Sequence, residues 1–106
     1  MKLEGKLLIR SCLRTDKLKY QVLKRIFDFK KCDCIIIEYL NPDFTMLLNS
    51  IQVIITERGS RLSHLAIVAR EYNRTVIQVN GIMSGVPKIG KLSINYNEEN
   101  VEIEIL

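Results

Sequence analysis

Hydrophobic positions in this chain fall into short blocks, and the spacing inside each block predicts its element. Leu3 to Leu13 has a continuously apolar centre, Leu7-Leu8-Ile9, and is predicted as a first strand. From Asp16 to Phe29, Leu18, Val22, Ile26 and Phe29 recur at three- and four-residue spacing, with Lys17, Lys24 and Arg25 elsewhere, which predicts an amphipathic helix capped by Thr15. Cys34 to Leu40 and Ile51 to Thr56 are uninterrupted and β-branched, as expected of inner strands buried on both faces, and Asn41-Pro42 ends the first of them before a short helical turn at Asp43 to Leu48. Leu62 to Tyr72 is apolar nearly all round through LAIVA and is predicted as a covered helix, with Asn73 placed to close it in the left-handed conformation. Val76 to Val79 returns as a strand that Asn80-Gly81 turns, and Gly90 to Asn95 with Val101 to Ile105 predict a closing pair around Asn97-Glu98-Glu99-Asn100. The order strand, turn, helix, strand makes this an α/β chain.

At 106 residues, 47% of them hydrophobic, the sequence fills one core, so residues 1–106 are expected to form one domain. A complete multi-substrate kinase does not fit. No apolar run approaches the roughly 18 residues of a membrane span, and MKLEGKLLIR lacks the features of a cleaved signal, so no membrane association and a cytoplasmic location are expected. Cys12, Cys32 and Cys34 are odd in number, which argues against a disulfide framework; with one histidine and no zinc-ligand spacing, no metal site is expected, and the last two thiols are read as reduced, buried and facing one side of a strand.

Charge is uneven. Residues 1–31 hold ten Lys or Arg against three acids, whereas residues 32–106 hold six against nine. A solvated lysine-rich face is the plain reading, and nucleic acid is not an expected partner, although binding of nucleic acid or an acidic protein face through the basic third stays open as an alternative.

The single histidine, His64, sits in TERGSRLSHLAIVARE, after a glycine-containing turn and at the mouth of the apolar helix. A histidine there places its ring beside the free amides and positive dipole end of a helix, where an anion bonded to the imidazole is stabilised. Neutral imidazole is the nucleophilic form, and histidine's ordinary pKa of about 6.5 leaves most of it neutral at pH 7. Arg58 and Arg61 on the turn are candidates to screen a phosphoryl group, or are simply solvated; Gly59 gives the turn backbone freedom; Ser63 either caps the helix or bonds the imidazole or its phosphate.

Gly59, Ser63, His64 and the run Ala66, Ile67, Val68, Ala69, Arg70, Glu71 match, in order and spacing, the signature of a known family. In these residues the chain resembles the swivelling phosphohistidine domain, or mobile domain, of phosphoenolpyruvate-utilising enzymes, the pyruvate phosphate dikinase and phosphoenolpyruvate synthase family. Asn41-Pro42-Asp43, IQVIITE and Ile89-Gly90-Lys91-Leu92 extend the resemblance over residues 33–106. Ser60 departs from the second of the family's paired glycines, and Leu62 stands where dikinases carry a threonine.

The resemblance implies a single compact swivelling β/β/α domain in which His64 accepts a phosphoryl group and passes it on, with Gly59, Ser63, Arg61 and Arg58 shaping the site or binding phosphate. It implies no tightly bound cofactor. Mg and ATP or phosphoenolpyruvate would arrive through partners acting in trans, an ATP-grasp nucleotide-binding protein and a phosphoenolpyruvate-binding barrel, because 106 residues encode neither. Alone, such a chain is not expected to turn over substrate. A non-catalytic module that uses the same fold to sense an anion or bind a protein is the alternative.

Overall fold

The computed structural model describes residues 1–11 and 17–106. Among them are seven strands: β1 (Lys2–Ile9), β2 (Leu18–Val22), β3 (Cys34–Tyr39), β4 (Val53–Arg58), β5 (Thr75–Gln78), β6 (Ile89–Tyr96) and β7 (Asn100–Ile105). They close into a barrel in the order β1-β5-β4-β3-β2-β6-β7. Pairing is parallel from β2 through β3 and β4 to β5, and antiparallel where β1, β6 and β7 complete the circle. Helix α1 (His64–Glu71), a short α2 (Ile82–Gly85) and 3-10 turns at Ile26–Asp28 and Pro42–Leu47 connect the strands.

Two apolar clusters explain the two kinds of sequence pattern. One fills the barrel, with Cys34, Ile36, Val53, Ile55, Ile77, Leu92, Ile94, Val101 and Ile103 pointing inward. The other lies outside the parallel strands, where Ile35, Ile37, Ile54 and Val76 meet Leu65, Ala66 and Ala69 of α1 and Phe44, Leu47 and Leu48 of the 3-10 turn. β3, β4 and β5 are therefore buried on both faces, which is why their sequences are continuously apolar, whereas β6 and β7 alternate. Ala66 and Ala69, both fully buried, let α1 approach the sheet closely.

The helix expected over 16–29 is not formed by its described residues. Leu18 and Tyr20 point inward at strand spacing, and β2 fills the gap between β3 and β6. Leu18, Tyr20 and Val22 fit a period of two as well as Leu18 and Val22 fit a helix, and the unpaired edge that β3 would otherwise present decides between them. Thr15, Asp16 and Cys12 lie outside the described residues, as does the distal end of the first expected strand. Cys32 and Cys34 are free and buried, but they face different clusters rather than one side, because β3 begins only at Cys34. The other strands fall within a few residues of their expected places, and Asn73 closes α1 at φ 60° with its amide bonded to Arg70 O at 3.1 Å. Helix α2 follows the Asn80-Gly81 turn and buries Ile82 against the barrel interior.

Candidate functional site

β4 delivers the chain to the candidate site, and its end is fixed by hydrogen bonds rather than left to fray. Thr56, fully buried, donates its hydroxyl to Arg58 O at 2.7 Å, and its own carbonyl accepts from Val79 N at 2.9 Å. Gly59 then adopts φ 151°, a conformation that side chains with a Cβ rarely take, and a Cβ there would lie 2.6 Å from Leu40 Cδ1. Both conditions demand glycine at the corner where the strand ends.

The turn that follows is held by its serines. Ser60 N donates to Ser63 Oγ at 3.3 Å, Leu62 N to Ser60 Oγ at 3.2 Å, and Ser63 N to Ser60 O at 3.1 Å. Ser63 occupies the N-cap position of α1 in extended conformation, but its hydroxyl makes no capping bond to the helix because it faces back to Ser60. The first helical amide taken up is that of Ile67, by Ser63 O at 3.0 Å. The amides of His64, Leu65 and Ala66 find no acceptor among the described residues; Leu65 and Ala66 are fully buried, so of the three only the His64 amide belongs to an exposed residue, at the positive end of the helix dipole.

His64 is the first residue of α1 and is exposed, while Leu65 and Ala66 beside it are buried and fix the helix against the sheet. The imidazole makes no hydrogen bond or ion pair with a described residue. Tyr39, Leu40, Arg58, Gly59 and Ser63, the residue before His64, line an open recess of about 500 Å³.

The two turn arginines diverge. Arg58 lines that recess and donates to Glu38 Oε2 at 2.7 Å in an exposed ion pair, so part of its charge is already answered. Arg61 lines a separate groove of about 350 Å³, with Arg10 and Arg70 around Leu8, Ile9, Leu62 and Ile67. The fold thus gathers Gly59, Ser63 and Arg58 around one recess at the turn before His64 and sets Arg61 in a different groove. Tyr39 and Leu40, which line the recess, and Glu38, which pairs with Arg58, were not legible as site residues, since only the pairing of β3 with β4, in which Tyr39 stands opposite Arg58, brings them to that strand end. A tyrosine at the polar end of an apolar strand was the one available signal.

No group of three or more His, Cys, Asp or Glu among the described residues is arranged to hold a metal ion. Burial pushes the Cys34 thiol well up and, with a smaller opposing backbone hydrogen bond, raises Cys32; both thiols belong to the core and not to the recess. No helix among the described residues is long and apolar enough to cross a membrane.

Comparison with known proteins agrees with this arrangement. Residues 29–95, from the approach to β3 through most of β6, match the family described as PEP-utilising enzyme, mobile domain. A probable phosphoenolpyruvate synthase from Staphylothermus marinus is 30% identical over 95 residues, covering 82% of this chain, while the chain spans 11% of that relative's length. A strand, a glycine corner, a serine turn and a helix opening on an exposed histidine coincide with the matched span, and the chain belongs to the mobile-domain family of phosphoenolpyruvate-utilising enzymes.

Proposed function

We propose that this chain is a swivelling phosphoryl-carrier domain, phosphorylated on His64, that relays the group between a nucleotide-binding partner and a phosphoenolpyruvate-binding partner. The observation that carries the reading is the exposed imidazole at the start of α1, where the His64 amide has no acceptor among the described residues and the helix dipole is positive. In the forward step a neutral ring nitrogen attacks phosphorus. An N–P bond forms, the donor's P–O bond breaks, and the electron pair leaves on the donor oxygen. The second step reverses this toward the acceptor. The helix dipole and the His64 amide favour negative charge on the phosphoryl oxygens beside the ring. Ser63 contributes by turning its hydroxyl to Ser60, which leaves the start of the helix without a side-chain cap.

Positioning and charge neutralisation dominate phosphoryl transfer, with Mg bridging phosphate oxygens. The described residues supply the acceptor and amide donors but no carboxylate set for Mg, so Mg and ATP or phosphoenolpyruvate are assigned to partner protein outside these 106 residues. Arg58 at the recess and Arg61 in the neighbouring groove flank the turn that a partner must approach.

The test is to incubate the chain with phosphoenolpyruvate, and separately with ATP, in an extract of the source cells, and to map adducts by mass spectrometry. One acid-labile phosphoryl group on His64, absent from His64→Ala, is expected. An unlabelled chain under both donors favours the anion-sensing module instead.

A further inference from the structure

Away from His64, the antiparallel side of the barrel carries a run of basic groups that phosphoryl transfer does not use. Lys19, Lys30, Lys31 and Lys91 surround a recess of about 340 Å³ whose floor includes Tyr20, Cys32 and Gly90. An adjoining recess of about 310 Å³ adds Lys24 and Lys88, and the two share Gln21 and Ile89. All six lysines are exposed, and none makes an ion pair with a described residue. Lys30 and Lys31 lead into β3 at the end opposite to that from which β4 runs on to His64, so the track and the phosphoryl site are separate.

Three features make this more than a solvated face. Lys19 and Lys91 stand directly opposite each other on paired strands, an arrangement that destabilises a sheet unless an anion lies between them. No carboxylate lines the first recess: the Asp33 carboxylate is turned to the Lys19 amide at 3.0 Å, and Asp28, which lines the second, is paired with Arg25. The third is Phe27, 93% exposed in the 3-10 turn between Lys24 and Lys30. Its loop is clamped to β2, because Gln21 donates to Asp28 O at 2.7 Å and accepts from Lys30 N at 2.9 Å. The phenyl ring is thus held out in water by a fixed loop. Ile89, 71% exposed and lining both recesses, puts an apolar surface among the lysines, and Phe27 projects from the loop that joins Lys24 to Lys30.

We infer that this track binds single-stranded nucleic acid, with the lysines on successive phosphates and Phe27 as a stacking platform for a base. A single strand alternates charged phosphates with flat apolar bases, as the track alternates lysines with apolar floors, and stacking on an aromatic ring tolerates any base. The lysines line concave recesses, which suits a strand laid between them better than a flat lipid surface. This runs against the expectation from the sequence, where the basic residues appeared only as a composition and the barrel's gathering of Lys19, Lys30 and Lys31 with Lys88 and Lys91 was not visible.

The test uses fluorescence anisotropy with a labelled single-stranded oligonucleotide of about 20 nucleotides, longer than the roughly 4–16 that one small fold covers. Binding is expected at low salt, with log affinity falling against log salt by about 0.7 per phosphate neutralised. Lys30→Glu with Lys31→Glu should weaken it at least about tenfold and flatten that slope, and Phe27→Ala should weaken it about tenfold. His64→Ala and Lys2→Glu should leave it unchanged, and circular dichroism should show every variant folded. No binding at low salt overturns the inference, as does binding indifferent to the lysine reversals. Equal competition by polyglutamate would reassign the track to an acidic protein surface. Phe27-dependent sedimentation with phosphatidylserine vesicles, without Phe27-dependent oligonucleotide binding, would reassign it to a membrane.

Discussion

The barrel has two walls built on different terms. β3, β4 and β5 run parallel, are buried on both faces and carry α1 and the Pro42–Leu47 turn as a roof, whereas β1, β6 and β7 run antiparallel with one face in water. The roofed wall holds its strand ends still, and the histidine follows one of them. Rigid support beneath an exposed group is what a transfer site needs, because sub-ångström misplacement costs rate. The bare wall keeps its outer face free for charge, and the lysines collect at its border, where β2 pairs with β6 and in the connections leading into β3 and β6. A continuous apolar strand thus marks the scaffold of the candidate phosphoryl site, and an alternating one leaves a surface available for something else.

If the walls differ in this way, the largest contrast is in stability. Ile35→Ala, outward-facing under the roof, should cost about 2–5 kcal/mol in urea denaturation, whereas Asn95→Ala, exposed on β6, should fall within about 0.5 kcal/mol. Equal costs would break the comparison. Next comes Gly59→Ala, which forces a Cβ into φ 151° against Leu40 and should cost about 1–3 kcal/mol. Since the same corner sets the position of His64, this variant should also lose phosphoryl incorporation out of proportion to its shift in melting temperature.

The core thiols sharpen the picture through pH. Burial raises Cys34 well above the ordinary thiol range, so the folded chain holds a proton that the unfolded chain releases in alkali. The stability this represents is fully present below about pH 8.5 and falls as pH rises toward the folded-state value. Cys34→Ser should flatten that fall in melts taken across the alkaline range, and an unchanged slope would remove Cys34 as its source. The smallest effect is expected from Glu38→Ala, whose ion pair with Arg58 is exposed on both sides and contributes no more than about 1 kcal/mol by thermal melting.

The sequence disclosed the roofed wall well, because burial on both faces leaves an unmistakable run such as Cys34 to Tyr39. It disclosed β2 poorly. A five-residue strand carries too few positions to separate a period of two from one of 3.6, and the slot between β3 and β6 that selects the strand exists only after the barrel closes. For the candidate site, Gly59, Ser63 and His64 were readable because they lie in one contiguous turn. Tyr39 and Leu40 were not, since only the register of β3 on β4 brings them to the recess, and the same pairing sets Glu38 against Arg58. Residue spacing also could not show that Arg58 and Arg61 line different recesses.

The most direct trial of the carrier account is a chase. Chain loaded from radiolabelled phosphoenolpyruvate in source-cell extract is repurified and returned to fresh extract with unlabelled substrates. The account predicts that the label sits on His64 and leaves it for a nucleotide during the assay. Label that stays on the chain, that sits on another residue, or that loads equally on His64→Ala would contradict it.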